Sequence, residues 1–247
     1  MAFWSVRAGG VPSAEVLPSP NIWRWPKVYE VENQAQDREQ VLFDALRESF
    51  DWTGRDVLDV GCGDGFHLPI LARDARSVVG VEPHPPLVRR ARRRVAGLDS
   101  VRVSAAGAQR LPLPDESVDL VHARTAYFFG PGCEPGLREA ERVLRPGGAV
   151  AIIDLDATRH AYGSWMRADL PRYSPAEVED FFAGEGFDCR RVDTWWRFDD
   201  RESLAAVLRI EFSGRVAARA IAQTPGLALP VGYRLHVRRR PAAVLLP

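Results

Sequence analysis

The sequence contains little cysteine and carries no excess of either charge. Its 247 residues include three cysteines, and 33 basic residues are matched by 33 acidic ones. Three scattered cysteines fit neither a zinc site nor a disulfide framework, so we expect no metal and a reducing compartment, the cytoplasm. A net charge of zero provides no overall field to attract nucleic acid or an anionic membrane, so we expect neither partner.

Long apolar runs are missing as well. The chain has no uncharged stretch of the roughly 18 residues that a membrane-spanning helix needs, and positions 1–20 lack the pattern of a signal peptide. Hydrophobic residues nevertheless make up 46% of the chain, enough for a well-buried core. This composition favours a globular protein whose partner is a small molecule.

Short β-branched runs alternate with helical patterns, which is typical of βαβ units and a parallel sheet. We predict one domain over 1–247, made of an irregular leader (1–26), a helical cap (27–50), a core (55–155) and closing elements (156–247). Predicted strands lie at 56–60, 77–82, 100–104, 118–123 and 149–155, with a closing strand at 229–238. Predicted helices lie at 66–74, 86–96 and 135–143, with an extra helix at 201–223.

A glycine-rich turn follows the first predicted strand. Gly61, Gly63 and Gly65 alternate where strand passes into helix, so the backbone can adopt positive φ, and the N–H groups of the next helix would face an anion. A dinucleotide-binding G-x-G-x-x-G is disfavoured because Phe66 occupies the last glycine position. Glu82 ends the next strand about twenty residues on, where a carboxylate can accept both hydroxyls of a ribose.

Four segments carry a family resemblance: VLDVGCGDG at 57–65, VVGVEP at 78–83, AQRLPLPDESVDLVHAR at 108–124 and EAERVLRPGGAVAIID at 139–154. Together they resemble the class I S-adenosylmethionine-dependent methyltransferases, in particular the small-molecule branch that includes quinone-biosynthesis and type 11 enzymes. The resemblance implies an α/β, Rossmann-like, seven-stranded, mostly parallel sheet whose last strand is antiparallel. It also implies N-terminal helices, an extra helix before that strand, and S-adenosyl-L-methionine as the cofactor.

The same resemblance assigns cofactor contacts along these motifs. Those contacts are Asp59, Gly61, Cys62 and Gly63 for the amino-acid part, Glu82 for the ribose, Ala108 and Gln109 for the adenine, and Arg124 under the methionine side. Two departures stand out. Gly107 replaces the acidic residue that many relatives place near the adenine, and Tyr127, Phe128 and Phe129 replace a frequent pair of histidines, which predicts a more apolar pocket.

Methyl transfer from a sulfonium is an in-line displacement, so alignment of the acceptor is the main requirement. A base is needed only for oxygen or carbon acceptors of high pKa. His160 is the first candidate base and His122 the second, with a solvent-facing His160 and a structural His122, satisfied by a backbone carbonyl, as the alternatives. His67 is expected on the surface. Asp154 and Asp156 either orient the acceptor or cap the end of the strand, and Trp23, Trp25 and Tyr29 are candidates to fold over the mouth of the pocket.

Two functions remain open at this point. One is methyl transfer to a small, fairly apolar metabolite, and the other is binding of S-adenosylmethionine in the same fold without transfer, as a cyclase-like enzyme or a non-catalytic module. The aromatic segment at 195–223 forms either part of the core or a lid with an aromatic wall over the acceptor. The sequence names no acceptor.

Overall fold

The computed structural model describes residues 19–127 and 130–242; the rest of the leader, Phe128 and Phe129 lie outside the described residues. Seven strands form one sheet in the order β3-β2-β1-β4-β5-β7-β6. They are β1 Asp56–Val60, β2 Ser77–Glu82, β3 Val101–Ala105, β4 Val118–Arg124, β5 Leu144–Leu155, β6 Asp188–Arg197 and β7 Ala228–Arg239. Strand β7 runs antiparallel to both β5 and β6, and the remaining pairs are parallel. The predicted Rossmann-like sheet with an antiparallel last strand is confirmed.

Ten helices accompany the sheet within the described residues. They are α1 Pro20–Arg24, α2 Pro26–Ala35, α3 Val41–Ser49, α4 Leu68–Leu71, α5 Pro85–Arg94, α6 Glu134–Val143, α7 His160–Asp169, α8 Pro175–Gly184, α9 Arg201–Glu211 and α10 Gly214–Gln223. Not one of these helices has the length and apolar character required to cross a membrane.

Both faces of the sheet are buried. In β5, Val150 and Ile152 belong to one apolar cluster, whereas Ala151 and Ile153 belong to the other, as the two-residue period of a strand requires. Helices α6 and α8 cover the first face, and α3 and α7 contribute to the second. This two-sided burial accounts for the nearly continuous apolar runs of the central strands.

The leader predicted over 1–26 is wrong at its end. Helix α1 begins at Pro20 and α2 begins at Pro26, both inside the segment expected to be irregular. Proline suits the first turn of a helix, because its fixed φ is already helical and the missing N–H has no partner there in any case. These two prolines are therefore helix starts, and α1 places Ile22 over Gly63 of the glycine loop.

The extra helix predicted over 201–223 is in fact two helices. Phe212 adopts an extended conformation (φ −126°, ψ 155°) at the end of α9, and the backbone N–H of Ser213 donates to the Asp169 carboxylate at 3.1 Å. The Ser213-Gly214 pair, a common turn signal, marks this break. The bend directs Phe212 towards the interior of the protein, where it is 7% exposed.

The helix predicted over 66–74 is shorter than expected, since α4 covers only Leu68–Leu71. After it, Asp74 N–H bonds to Leu71 O at 3.4 Å, a tighter and poorer turn than that of an α-helix. The carbonyl of Asp74 then accepts from Gly54 N–H at 2.7 Å, which ties the turn back to the start of β1. The glycine loop therefore leads into a single helical turn.

Candidate active site

A cavity of about 450 Å³ lies at the carboxyl ends of the parallel strands. It has two parts. We call the first the cofactor half; its lining comprises residues 61–64, Glu82 and 106–109. We call the second the acceptor half; its lining comprises Asn21, Tyr29, Glu32, Tyr162, Met166, Leu170, Glu211, Phe212 and Tyr233. Ligands of open α/β sheets bind at this edge.

The glycine loop is closed from above by α1. Gly63 has φ +58°, and a Cβ built there would lie 2.9 Å from the Cδ1 atom of Ile22. A side chain at this position would therefore force Ile22 to move and would be strained by the positive φ. Two backbone amides of the loop are already hydrogen-bonded to β2, because the N–H groups of Gly61 and Cys62 donate to Val81 O at 2.9 and 3.0 Å. These two N–H groups are therefore not the ones that would bind the anion expected at the start of the following helix.

Glu82 is fixed at the bottom of the cofactor half. Its Oε1 accepts from the N–H of His84 at 2.8 Å and its Oε2 from the N–H of Gly63 at 3.2 Å. The residue is 5% exposed, and burial raises the pKa of its carboxyl group. Each carboxylate oxygen can accept a second hydrogen bond, so the group fits two neighbouring ribose hydroxyls.

The segment after β3 forms another wall of the cofactor half. Ala108 and Gln109, which the family resemblance assigns to the adenine, line the cavity together with Ala106 and Gly107. The rings of Trp23 and His84 stack at 4.2 Å with an angle of 10° beside the same space. An aromatic pair and small residues thus flank a slot suited to a flat base.

Asp59 and His122 lie beneath the cavity, not in its lining. They face each other across β1 and β4, with Asp59 Oδ1 2.7 Å from His122 Nδ1. Both side chains are buried, and the ring of His122 stacks on Phe43. The expected backbone-carbonyl partner of His122 is wrong, because its partner is this carboxylate. Asp59 projects to the opposite face from Val60, so its side chain supports β4 from below the site.

His160 is also outside the cavity lining. It is the first residue of α7, with φ +55°, and its Nε2 lies 2.8 Å from Asp193 Oδ1 on β6. Of the two predicted orienting groups, Asp156 accepts from Thr158 N–H at 2.8 Å and does not face the cavity. The structure therefore gives these residues surface or turn roles.

Asp154 is fully buried and likewise does not line the cavity. Burial raises the pKa of its carboxyl group to about 7, against the opposing effect of Arg234 nearby. Neither oxygen has a hydrogen-bond partner among the described residues. The side chain belongs to the interface between β5 and β7.

Arg124 occupies the boundary between the two halves of the cavity. Its Nη2 donates to Gln36 Oε1 at 2.7 Å, its Nη1 lies 3.2 Å from His67 Nε2, and its guanidinium covers the ring of Tyr233 at 5.4 Å. His67 lines the cavity, so the expectation of a surface residue is wrong. Burial and the positive charge of Arg124 lower the pKa of His67, which therefore accepts from Arg124 as a neutral ring.

Two carboxyl groups that sequence reasoning missed face each other in the acceptor half. Glu32 is 3% exposed and Glu211 is 7% exposed, both line the same cavity, and the charge of Glu211 acts on the Glu32 carboxyl group. Glu211 accepts from Asn21 Nδ2 and from the hydroxyl of Tyr162, both at 2.6 Å. Burial is the main cause that raises the pKa of both groups. The one sequence signal was the position of Glu211 among apolar residues of a predicted amphipathic helix.

Aromatic side chains form much of the remaining wall. Phe212 packs edge-on against Tyr162 at 5.2 Å, and both line the cavity. Trp25 and Trp195 are 50% and 44% exposed and take no part in it. Of the segment 195–223, the end of α9 therefore forms an aromatic wall of the cavity, as the lid interpretation predicts. Trp196 is instead part of the core.

Comparisons with known proteins agree with this geometry. A family model described as a methyltransferase domain matches residues 58–152. Methyltransferase GfsG of Streptomyces halstedii is 37% identical over 162 residues, which cover 64% of this chain and 55% of GfsG, so the chain spans about half of that relative. The demethylmenaquinone methyltransferase of Clavibacter sepedonicus is 30% identical over 201 residues, 77% of this chain and 79% of that protein.

A solved structure has the same fold. The S-adenosylmethionine-dependent methyltransferase of Aquifex aeolicus superimposes with a TM-score of 0.53 at 23% identity, covering 85% of this chain and 97% of that one. The matched family segment contains the glycine loop, Glu82 and Arg124. The chain belongs to the family of S-adenosylmethionine-dependent methyltransferases.

Proposed function

We propose that this protein transfers the methyl group of S-adenosylmethionine to a small, fairly apolar metabolite bound in the acceptor half. The observation that carries the proposal is the continuity of the cavity, in which Glu82 and the glycine loop share one space of about 450 Å³ with Tyr162 and Phe212. An in-line displacement needs donor and acceptor aligned in one water-poor site.

S-adenosylmethionine supplies the methyl group as a good electrophile, and the residues of the cofactor half fit its parts. Glu82 has acceptor capacity for the ribose hydroxyls, and residues 106–109 provide a slot for the adenine. Among the described residues that line the cavity, Arg124 is the one arginine, so we assign it to the methionine carboxylate. Neutral His67 and Gln36 hold its guanidinium in place.

The relatives favour transfer over binding without turnover. GfsG and the Clavibacter protein are both named as methyltransferases. A demethylmenaquinone is by its name a quinone, and a ring of that kind suits the aromatic walls described above. These points support an acceptor with an apolar ring, and they do not favour the cyclase-like or non-catalytic alternative.

The decisive experiment measures binding and turnover separately. Calorimetry with S-adenosylmethionine measures affinity, and mass spectrometry follows S-adenosylhomocysteine after addition of a metabolite extract. We expect tight binding together with steady product that depends on both protein and extract. Binding without any S-adenosylhomocysteine would support the alternative function, and an absence of binding would contradict both.

The same proposal includes the surroundings of the enzyme. Cys62, Cys133 and Cys189 are all free thiols, which suits a reducing compartment such as the cytoplasm. The balanced charge of the chain supports a small-molecule acceptor instead of a nucleic acid.

A further inference from the structure

The facing carboxyl groups of Glu32 and Glu211 lie well away from the motifs of the cofactor half, yet they are close to it in space. Asn21, which donates to Glu211, is next in the chain to Ile22, whose side chain packs on Gly63 of the glycine loop. Both glutamates line the cavity. The pair therefore faces the space in which an acceptor would approach the methyl group.

The hydrogen bonds show how a proton is distributed over the pair. Glu211 accepts from Asn21 and Tyr162, and these two donors stabilise its ionised form. Glu32 Oε1 accepts from Gln36 Nε2 at 2.8 Å, while its Oε2 has no donor among the described residues. Two buried carboxylates side by side repel each other, so the pair favours one shared proton, and that proton belongs on Glu32 because Glu211 has more donors for its ionised form.

We propose that Glu32 and Glu211 form a catalytic pair that binds a phenol or enol hydroxyl of the acceptor and takes its proton during methyl transfer to that oxygen. This inference rests on the proposed function and names its substrate class. It follows from a buried, singly protonated pair placed in the lining of the acceptor half beside Tyr29 and Phe212.

The step balances in atoms and electrons. The acceptor oxygen bonds to the methyl carbon, the bond from that carbon to sulfur breaks, and its electron pair stays on sulfur. The hydroxyl proton moves to the Glu211 carboxylate, which leaves both glutamates neutral until one proton passes to water. A base whose pKa is raised towards neutral pH suits a weakly acidic hydroxyl.

The local charges favour a hydroxyl over an amine. An ammonium group would be repelled by the Arg124 guanidinium, which interacts with Glu32, and by the positive sulfonium of the donor. The single negative charge of the pair is already compensated by three neutral donors, from Asn21, Tyr162 and Gln36. A neutral hydroxyl adds a hydrogen bond at little electrostatic cost.

The first test uses the protein alone. Infrared spectroscopy at neutral pH is carried out on Asp154→Asn protein, because the buried Asp154 carboxyl, with its pKa raised to about 7, would give a band of its own. This protein should show the carbonyl stretch of a protonated carboxyl, and that band should disappear when Glu32→Gln is added. Glu202→Gln is the matched control, because Glu202 is an exposed residue of α9, the helix that carries Glu211. Asp154→Asn protein without the band, or a band that survives the addition of Glu32→Gln, would overturn the shared proton.

The second test uses two probes with the same ring system, 2-naphthol and 2-naphthylamine, titrated in the presence of S-adenosylhomocysteine. We expect wild-type protein to bind the naphthol on the order of tenfold more tightly, because a phenolic O–H is a stronger donor to the Glu211 carboxylate than the N–H of the neutral arylamine, and Glu211→Gln to lose that preference. If Glu211→Gln does not fold, Tyr162→Phe removes one donor from Glu211, so the protonated band should persist to higher pH and the naphthol preference should weaken. Equal affinity for the probes, stronger binding of the amine, or no binding of either would contradict the proposal.

Different results would refute methyl transfer itself and the role of the Glu32–Glu211 pair. An absence of S-adenosylhomocysteine with every extract would refute methyl transfer itself, whatever the probes do. Turnover in wild-type protein that continues unchanged in Glu211→Gln, or a product methylated on nitrogen, would refute only the role of the pair.

Discussion

The two halves of the cavity are built in different ways. The cofactor half uses short segments that follow the ends of β1, β2 and β3, and its hydrogen bonds run largely through backbone groups, such as those of Gly63 and His84 to Glu82. The acceptor half joins side chains that are distant in the chain, since Asn21 and Glu211 are 190 positions apart. A local motif specifies the first half, whereas tertiary packing of α1, α2, α7 and α9 specifies the second.

This difference makes the two halves separable by mutation. A change in the packing of the acceptor half should leave cofactor affinity intact, and a change at Glu82 should leave the acceptor walls intact. The following substitutions examine that separation, beginning with the largest expected effect.

Phe212→Ala should have the largest effect, and it should be confined to the acceptor half. The ring packs against Tyr162 at 5.2 Å and Trp165 at 6.0 Å, and its removal should lower the free energy of unfolding by about 3 kcal/mol. Urea denaturation measures this loss, and calorimetry should give an unchanged dissociation constant for S-adenosylmethionine. Trp195→Ala is the control, since an aromatic that is 44% exposed should cost far less. A parallel loss of cofactor affinity in Phe212→Ala would show that the halves are coupled.

Glu82→Ala should break the cofactor half alone. Loss of two ribose hydrogen bonds should weaken S-adenosylmethionine binding by about 1.5 to 3 kcal/mol, roughly 10-fold to 150-fold in the dissociation constant. The N–H groups of Gly63 and His84 also lose their acceptor, so the loop should exchange its amide hydrogens faster. Affinity for 2-naphthol should stay within twofold of wild type. An unchanged cofactor dissociation constant would remove Glu82 from the site.

The same contrast explains what the sequence could predict. The glycine loop, Glu82 and the positions of the strands along the chain follow from local patterns, because turn chemistry and strand period are local properties. Glu32 and Glu211 could not be paired from the sequence, since each occupies an ordinary helical position and their contact depends on how α2 packs on α9. His67 was misplaced for a related reason, because the shortened α4 turns its ring towards Arg124.

For two residues the strand was predicted correctly, but the side chain does not reach the cavity. The family resemblance assigned Asp59 to the cofactor, but strand alternation points its side chain away from the cavity and against His122. Asp154 closes the motif at 139–154 and was a candidate either to orient the acceptor or to cap the strand end, and its side chain is enclosed near Arg234. The position of a residue in a motif identifies its strand. Whether the residue is odd or even along that strand decides on which face of the sheet its side chain lies.

Asp154→Asn examines whether that carboxyl group is separate from both halves. Burial raises its pKa to about 7, from an unfolded value of about 3.9, so the folded state holds the proton more tightly. The contribution of the Asp154 carboxyl group to the free energy of unfolding is therefore fully present below pH 4 and is lost as the pH rises through 7. The free energy of unfolding falls by at most about 1.4 kcal/mol per pH unit in this range. Urea denaturation at several pH values should show a flatter dependence in Asp154→Asn than in wild type.

Asp180→Asn provides the control for this measurement, because Asp180 is an exposed residue of α8. It should leave the pH dependence of stability as it is in wild type. Binding of S-adenosylmethionine and of 2-naphthol should be the same in all three proteins. Lower affinity for either ligand in Asp154→Asn would place this carboxyl group in the function of the cavity after all.

His160→Asn should have the smallest effect of the set. Its ring contacts Asp193 at the surface, and a pair of this kind contributes between about 0 and 1 kcal/mol to stability. Asparagine tolerates the positive φ of 55° better than alanine would, so backbone strain does not enter the comparison. Turnover should remain within experimental error of wild type, because Glu32 and Glu211 take the proton. A large fall in turnover with unchanged cofactor affinity would instead mean that α7 moves and brings His160 into the cavity. His160 would then be part of the acceptor half.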